Sequence, residues 1–397
     1  MRDAVIVEAV RTPVAKGKPG GAYAGVHPVD LHAHVLTALV ERVPGLDPAE
    51  VDDVIGGTVA QVGEQSTNTT RMAVLAAGWP ESVPATTVDR QCGSSQQALS
   101  FAAQGVASGA YDIVVASGAE SMSRVPIGSS ALVDGERADV GGPSVARRYP
   151  GGLIPQGVSA ELIARRWGLS RSQLDEFAAT SHQRAAEAWK HGWFDAQVVP
   201  PAAAGPATDA TIRPGTTVET LAGLRPAFAD PRWRERFGDL DWKVTAGNSS
   251  PVNDGAAALL VTTSDIAARR GWRPRARIHT AVAVGDDPIH MLTGIVPATA
   301  KVLARAGLTL ADIDAFEVNE AFSSVVLAWL AETGADPAKV NIDGGAIAIG
   351  HPLGASGARL ATTLLHTLER TGGRYGLQTM CEAGGTANAT IVERISA

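Results

Sequence analysis

One cysteine, Cys92, stands in the polar segment DRQCGSSQQAL, between residues that favour a strand and residues that favour a helix. Free cysteines are most often small core residues, so the position could be purely structural. Its Asp, Arg, Gln, Gly and Ser neighbours are not typical of a core. A thiol at a helix N-terminus has a lowered pKa, and the N–H groups of the first turn can hold an oxyanion. The segment therefore predicts a nucleophile with a lowered pKa.

A second segment, GGAIAIGHPLGASGAR over residues 344–359, contains His351 between Gly350 and Pro352. A glycine-rich turn with an incidental histidine is the plain alternative. Glycines let the backbone approach a ligand closely, and an imidazole can act as general base to a thiol. We therefore expect His351 on a tight loop, in the role of a base.

Two further segments carry candidate groups. Cys381 follows an apolar run in MCEAGG, where it is either a core thiol or an acid/base toward a substrate atom. Asn319 and Glu320 in FEVNEAF end a β-prone run and begin a helical pattern. Asn is a preferred N-cap and Glu suits the first turn, so this pair is expected to cap a helix, to serve the chemistry, or both.

The surrounding elements alternate between strands and helices. The first half reads ATTV, the Cys92 turn, a helix over 96–107 and the strand IVVASGAESM. The second half reads KVNID, the glycine-rich segment, a helix over 358–370 and YGLQTMCEAGG. This succession predicts an α/β fold of two similarly wound halves whose reactive turns meet. Gly, Pro and Ser dominate residues 120–157, which predicts a long loop excursion.

The composition narrows the classes of function. The 397 residues include 34 Lys and Arg against 41 Asp and Glu, and the net charge of −7 argues against a nucleic-acid-binding face. Two cysteines form neither a disulfide framework nor a Cys-x2-Cys zinc motif. The sequence shows no secretory signal and no apolar run of about 20 residues, so no membrane partner is expected. These features favour a cytoplasmic protein.

The four reactive segments, in this order, resemble the thiolase family. The segment TAGNSSPVNDGAAALLV and the opening VEAVRTPVAKGKPGG are also similar to that family, so the resemblance covers essentially the whole chain. It implies a thiolase-like fold, with two βαβ-rich halves whose mixed five-stranded sheets form a layered α-β-α-β-α arrangement. The N-terminal half would span 1–272, with the excursion over about 120–250, and the C-terminal half would span 273–397.

The resemblance also implies a reaction. A thiolase cleaves a 3-ketoacyl-CoA with CoA, or runs the reverse Claisen condensation, by a ping-pong mechanism through an S-acyl intermediate on Cys92. His351 would take the thiol proton and polarise the thioester carbonyl, and Cys381 would exchange a proton with the substrate carbon. Asn319 would hold a water that completes, with His351, one oxyanion hole. The backbone N–H groups of Cys92 and Ala383 would form the other.

Substrate-binding residues follow from the same resemblance. CoA is expected at Ser250, Phe228 and Arg213, and the acyl group is expected beside Gln156, Met291 and Phe322. CoA would be a co-substrate, with no bound cofactor and no metal. A homodimer or homotetramer acting in fatty-acid or other lipid metabolism, including β-oxidation, is implied.

The sequence departs from the usual family pattern at several positions. Residues 94–96 read Ser-Ser-Gln after the nucleophile, and Ala383 and Ala387 replace usual glycines. Gln156 stands where some short-chain enzymes have Met. These departures predict an altered acyl pocket rather than a simple acetoacetyl-CoA enzyme.

Other functions remain as alternatives. The first is a non-catalytic, acyl-CoA-binding subunit or scaffold, although such proteins usually lose a reacting residue. A decarboxylating ketosynthase typically has two histidines around its cysteine, which the cysteine at 381 argues against. A cysteine hydrolase leaves Cys381 unexplained.

Overall fold

The computed structural model describes residues 2–201 and 205–396. Within these residues the strands are β1 (Val5–Arg11), β2 (Ala15–Lys16), β3 (Asp53–Gly57), β4 (Ala85–Val88), β5 (Ile113–Ser121), β6 (Leu132–Val133), β7 (Glu136–Arg137), β8 (Asn253–Thr262), β9 (Ala276–Gly285), β10 (Ala315–Val318), β11 (Tyr375–Glu382) and β12 (Thr386–Arg394). The helices are α1 (Pro28–Arg42), α2 (Thr69–Ala76), α3 (Ser94–Ser108), α4 (Gly142–Arg148), α5 (Gln156–Arg166), α6 (Arg171–Lys190), α7 (Val218–Ala222), α8 (Arg232–Phe237), α9 (Ser264–Arg270), α10 (Ile295–Ala306), α11 (Ser323–Thr333) and α12 (Leu353–Thr371).

One mixed sheet runs through both halves of the described chain. Its order is β10-β11-β12-β9-β1-β8-β5-β3-β4, with β2 paired to β8. The pairs β3–β4, β3–β5 and β10–β11 are parallel, and the remaining pairs of this path are antiparallel. Only the pairs Val5↔Arg277 and Ile6↔Ala276 join β1 to β9, so a narrow seam connects the halves. The α/β class with two mixed-sheet halves is confirmed.

The expected count of five strands holds in one half but not in the other. The first half contributes β4, β3, β5, β8 and β1, whereas the second contributes β10, β11, β12 and β9. KVNID, predicted as a strand, forms only an isolated bridge between Val340 and Phe316. Asn341 has a positive φ of 47°, and its side-chain amide exchanges two hydrogen bonds with the backbone of Val318. This side chain therefore occupies the positions where a further strand would pair with β10.

Helices lie in three layers around the two halves of the sheet. α1 and α2 pack on the outer side of the first half, and α10 and α11 on the outer side of the second. α3 and α12 pack against each other between the halves, which agrees with the α-β-α-β-α arrangement. The helices approach so closely that a Cβ on Gly357 would overlap the backbone of Gln96. Because α3 begins two residues after Cys92 and α12 two residues after His351, this pair sets both reactive turns.

The predicted excursion over 120–157 is more ordered than its composition indicates. It contains the small hairpin of β6 and β7 and the short helix α4, and α5 begins at its end. Several apolar side chains, including those of Val133 and Val140, are exposed there. Among the described helices, none combines the length and apolar character needed to cross a membrane.

Candidate active site

Cys92 lies in a tight turn between β4 and α3, as the sequence predicts. The Gly93 N–H donates to the Arg90 carbonyl at 3.0 Å, and the Ser94 N–H donates to the Gln91 carbonyl at 3.0 Å. Gln91 adopts a positive φ of 47°, a left-handed conformation that is uncommon outside glycine. The turn places Cys92 against side chains of the second half, Leu360 and Met380.

The Cys92 thiol is neutral at rest, contrary to the expected lowering of its pKa. Only 4% of the residue is exposed, and burial raises the pKa of Cys92 to about 12. The Glu382 carboxylate acts in the same direction, whereas a hydrogen bond from the Gln156 side chain opposes it. The prediction was wrong because removal of water from the thiolate outweighs the helix dipole at this depth. The nucleophile therefore needs a nearby base.

His351 is positioned by three hydrogen-bonded neighbours. Its backbone N–H donates to Asn253 Oδ1 at 2.9 Å, and its Nδ1 lies 2.6 Å from Ser356 Oγ. The Ser356 hydroxyl donates its own proton to the Pro352 carbonyl at 2.9 Å, so Nδ1 carries the ring hydrogen. Nε2 then carries no hydrogen and accepts a hydrogen bond from Asn319 Nδ2 at 3.4 Å. This tautomer suits a general base.

The environment keeps the His351 imidazole neutral. Burial lowers the pKa of His351 to about 3, and the positive charge of Arg359 adds to the effect. The preceding Gly350 has φ +116° and packs against Val14 and Asn253, with a hypothetical Cβ only 2.5 Å from Val14 Cγ1. A side chain at this position would displace the loop, which explains why the backbone here requires glycine.

Asn319 and Glu320 do not cap a helix. α11 begins at Ser323 with Phe322 as its N-cap, so the pair lies before the helix, and the capping interpretation is wrong. Asn319 Oδ1 is buried and has no hydrogen-bond partner within the described residues. An acceptor left open beside His351 Nε2 is suited to hold a water.

Glu320 instead anchors the loop that leads to His351. Its Oε1 accepts from Asn341 Nδ2 at 2.8 Å, and its Oε2 accepts from Ser181 Oγ at 2.7 Å and from the Ile347 N–H at 3.0 Å. Burial raises the pKa of Glu320, and these three hydrogen bonds oppose the rise. The carboxyl thus connects α6, the loop and the end of β10 beneath the histidine.

Cys381 lies near the end of β11 and is fully buried. Burial raises its pKa well above the usual value, and the charges of Cys92 and Glu382 raise it further. Ala383 follows in the turn to β12, where Gly384 and Gly385 have positive φ values of 84° and 79°. The structure therefore brings the second thiol and the predicted oxyanion residue to the same strand end.

Three of the predicted substrate-binding residues meet at the start of α5. Gln156 is the first residue of this helix and hydrogen-bonds the Cys92 thiol. The Phe228 ring covers Gly157 so closely that a Cβ there would overlap it. The Phe228 and Phe322 ring centroids are 5.9 Å apart in an edge-on arrangement. Gln156 thus brings the start of α5 to the nucleophile, and the two rings pack beside that helix start.

The remaining predicted residues lie at different depths. Met291 is buried in the same apolar cluster as Phe322 and Cys381. Ser250 is half-buried, and its backbone N–H donates to the Ala321 carbonyl at 2.9 Å. Arg213 is exposed at the surface, and its backbone N–H donates to a histidine of α6. The structure thus places Met291 in one apolar cluster with Phe322 and Cys381 and Ser250 beside Ala321, whereas Arg213 is exposed.

The unusual residues after the nucleophile do not line an acyl pocket. Ser95 Oγ accepts from the Ala358 N–H at 2.9 Å, and Gln96 Nε2 donates to Thr390 Oγ1 at 3.0 Å. Both side chains are fully buried between the two halves. Their part in an altered pocket was therefore predicted wrongly, because they pack the central helices instead. Ala387 pairs with Cys381 across the β11–β12 hairpin.

Sequence reasoning missed several residues that support the site. Ser356 sets the histidine tautomer, Asn253 holds the histidine backbone, and Glu382 lies beside the nucleophile turn. Ser356 had one local signal, since a serine one turn into a helix that starts beside a histidine can reach its ring. Over residues 2–201 and 205–396, no three His, Cys, Asp or Glu side chains are grouped so as to hold a metal.

Comparisons with known proteins show the family of this chain. The family model "Thiolase, N-terminal domain" matches residues 4–265, and "Thiolase, C-terminal domain" matches residues 272–394. A steroid 3-ketoacyl-CoA thiolase of Mycobacterium tuberculosis is 48% identical over 401 residues, which cover 100% of this chain and 95% of the relative. A 3-ketoacyl-CoA thiolase of Erwinia tasmaniensis is 45% identical over 407 residues, covering 100% of both chains.

A solved structure has the same fold as this chain. The crystal structure of the Bacillus anthracis acetyl-CoA acetyltransferase superposes with a TM-score of 0.88 at 37% sequence identity. The match covers 100% of this chain and 99% of that one.

Proposed function

Since the chain belongs to the thiolase family and is an acyltransferase, we propose that it cleaves a 3-ketoacyl-CoA by transferring the acyl group first to Cys92 and then to CoA. The observation that carries this proposal is the buried, neutral His351, whose Nε2 carries no hydrogen and accepts from Asn319 Nδ2. A neutral thiol needs such a base. Cys92 lies just before the first residue of α3, and His351 lies just before the first residue of α12. No finding favours the non-catalytic alternative.

In the first half-reaction, His351 Nε2 takes the Cys92 proton and the thiolate attacks the 3-keto carbon. The bond between C2 and C3 breaks, the electron pair stays on C2, and Cys381 gives its proton to that carbon. The fragment with C1 and C2 leaves on its original CoA, as acetyl-CoA when C2 carries no substituent, and the shortened acyl group, from C3 onward, remains on Cys92. In the second half-reaction, CoA gives its thiol proton to the Cys381 thiolate and attacks the acyl-enzyme. The Cys92 sulfur then recovers its proton from His351.

Developing negative charge on oxygen needs fixed donors in both halves of the cycle. We assign one donor set to His351 with a water held by Asn319, whose buried Oδ1 has no partner in the described chain. The second set is the backbone N–H of Cys92 at the helix start and that of Ala383 in the hairpin turn. Placement of these residues at one strand end and one helix end supports the assignment.

The acyl substrate is proposed to be longer or bulkier than acetoacetyl-CoA, as in β-oxidation of lipids. A polar Gln156 beside the nucleophile and the 48% identical relative named as a steroid 3-ketoacyl-CoA thiolase support this. Phe228 and Ser250 would contact CoA, with Arg213 reaching it from the surface. Phe322 and Met291 would line the acyl side, since both belong to the apolar cluster that includes Cys381.

The assembly and setting belong to the same proposal. A homodimer or homotetramer fits the exposed apolar residues of the excursion, such as Val133 and Val140. Two free cysteines suit the reducing cytoplasm. CoA acts as co-substrate without a bound cofactor or metal. The chain would divide at 272/273, shortly before β9 begins at Ala276.

The test is thiolysis kinetics on 3-ketoacyl-CoAs of increasing length and bulk, from acetoacetyl-CoA to a ring-bearing substrate. We expect kcat/KM to rise along the series and intact mass spectrometry to find the acyl group on Cys92. A flat profile, or activity with acetoacetyl-CoA alone, would contradict the substrate proposal. Acyl-CoA binding without any turnover would support the non-catalytic alternative.

A further inference from the structure

Glu382 places a carboxyl group directly beside the nucleophile turn. It lies between Cys381 and Ala383 at the end of β11 and is fully buried. Its Oε1 occupies the space that a side chain on Gly93 would fill, since a Cβ at Gly93 would overlap that oxygen. Gly93 follows Cys92 in the chain. The Glu382 carboxyl therefore packs against the backbone of the Cys92 turn. Glu382 lies on β11, the same strand that carries Cys381.

The hydrogen bonds around this carboxyl are incomplete. Oε2 accepts from Thr386 Oγ1 at 2.7 Å, whereas Oε1 has no partner in the described residues. Asn388 donates from Nδ2 to the Gly93 carbonyl at 3.1 Å, and its own Oδ1 is also without a partner there. A buried carboxylate with one open oxygen is costly, whereas the protonated acid carries no charge.

The charged and titratable groups that face Glu382 come from two elements. Arg90 and Asp89 belong to the nucleophile turn, and the thiols of Cys92 and Cys381 lie on that turn and on β11. Burial raises the pKa of Glu382 to about 8, while the Thr386 hydrogen bond and Arg90 oppose the rise. In return, an ionised Glu382 raises the pKa of both cysteine thiols.

We propose that Glu382 is a positioning residue that works in its protonated form, filling the space beside Gly93 and leaving the Cys92 thiolate free of an opposing negative charge. As pH rises and Glu382 ionises, its carboxylate disfavours the Cys92 thiolate. This opposes the ordinary gain in thiolate with pH. The reactivity of Cys92 toward an electrophile therefore rises less steeply above about pH 8 than it does when residue 382 is neutral. The catalytic meaning of this effect rests on the proposed function.

The first experiment measures alkylation of Cys92 by iodoacetamide between pH 6 and pH 10 in the purified protein, with peptide mass spectrometry separating Cys92 from Cys381. We compare wild type with Glu382→Gln, which keeps the shape and removes the ionisation. Glu41→Gln, an exposed carboxyl on α1, is the matched control. At pH 6.5 the three proteins react alike. At pH 9 Glu382→Gln reacts about three- to tenfold faster, since one pKa unit corresponds to a tenfold change in thiolate.

Identical alkylation profiles for wild type and Glu382→Gln would overturn the proposal, and so would an equal gain in Glu41→Gln. A second variant, Thr386→Val, removes the donor to Oε2 and raises the pKa of Glu382. In Thr386→Val, the rate of Cys92 alkylation therefore begins to level off at a higher pH than in wild type. An alkylation profile identical to that of wild type contradicts the proposal, even where Glu382→Gln fails to fold.

Thiolysis separates this inference from the proposed function. The ratio of kcat/KM for Glu382→Gln over wild type rises with pH in parallel with the alkylation ratio. A folded protein that shows the alkylation difference but no turnover with any 3-ketoacyl-CoA would refute the proposed function and leave the role of Glu382 in thiol reactivity standing. Turnover with matching pH profiles in the two proteins would refute the inference alone.

Discussion

Two buried carboxyl groups support the two reactive turns of this molecule, and they do so in different ways. Glu320, beneath the loop of His351, accepts hydrogen bonds at both oxygens from three donors. Glu382, beside the turn of Cys92, accepts one at Oε2 and has an open Oε1 in the described residues. A fully satisfied carboxyl fixes a backbone, whereas a partly satisfied one stays sensitive to protonation and to the charge of its neighbour.

The difference corresponds to what each turn does in the proposed mechanism. A histidine base must keep one tautomer and one ring orientation through the whole cycle, and its loop is tied down at Ile347 and Asn253. A nucleophilic sulfur changes its bonding partner twice. Its turn is closed by hydrogen bonds among neighbouring residues and by one from Asn388 to the Gly93 carbonyl, while the Glu382 carboxyl beside it keeps an open oxygen in the described residues. The rigid turn thus serves the base, and the electrostatically tuned turn serves the nucleophile.

Removal of the nucleophile has the largest expected effect. Cys92→Ala is expected to lose at least about 10³-fold in kcat/KM, since a nucleophile that forms the covalent intermediate has no substitute. Cys381→Ala is the matched variant: incubated with acyl-CoA, it still gains the mass of the acyl group, whereas Cys92→Ala does not. Far-ultraviolet circular dichroism checks that both remain folded. Full turnover by folded Cys92→Ala would rule out the mechanism.

The same substitution at the two carboxyl groups tests the comparison directly. In Glu320→Gln the new NH2 faces a donor in either orientation of the amide, and we expect a loss of about 2–3 kcal/mol in the free energy of unfolding. In Glu382→Gln the amide oxygen still accepts from Thr386, and we expect a loss below about 1 kcal/mol. Urea titrations measure both losses. The exposed Glu41→Gln variant is the control, and its free energy of unfolding is expected to change by at most about 0.5 kcal/mol. Equal losses at 320 and 382 would remove the distinction.

A smaller effect is expected at Ser356, which accepts from His351 Nδ1. Ser356→Ala leaves this N–H without its acceptor and weakens the preference for the reactive tautomer, so kcat is expected to fall about tenfold. Thr371→Ala removes a similar hydroxyl-to-carbonyl bond near the end of the same helix and serves as the control. An unchanged kcat in Ser356→Ala would show that the loop alone orients the ring.

Local sequence patterns predicted the parts of the site that local structure determines. The polar junction around Cys92 lies between β4 and α3, and the glycine-rich segment of His351 leads into α12. In both cases the spacing of apolar residues changes within a few positions of the reactive side chain, and turn-forming residues cluster there. The order of these segments predicted an α/β fold with two similar halves and a family that the comparisons confirm.

Features that depend on distant residues could not be predicted in this way. Asn319 and Glu320 have the composition of a helix cap, but Asn341 and Ile347 pair with Glu320 and keep it out of the helix. The Cys92 pKa rises because Leu360 and Met380, from the other half of the chain, exclude water. From its place in the sequence, Gln96 is expected to alter the acyl pocket. In the structure it packs against α12 instead.

The contact between Gly93 and Glu382 has a consequence for how this site can change over generations. A methyl group at position 93 would displace the Glu382 carboxyl, because the carboxyl oxygen already fills that space. A lineage that shortens residue 382 first avoids this displacement, whereas one that enlarges residue 93 first must move the carboxyl away from the nucleophile turn. In reconstructed ancestral proteins we expect replacement of residue 382 to precede enlargement of residue 93 more often than the reverse.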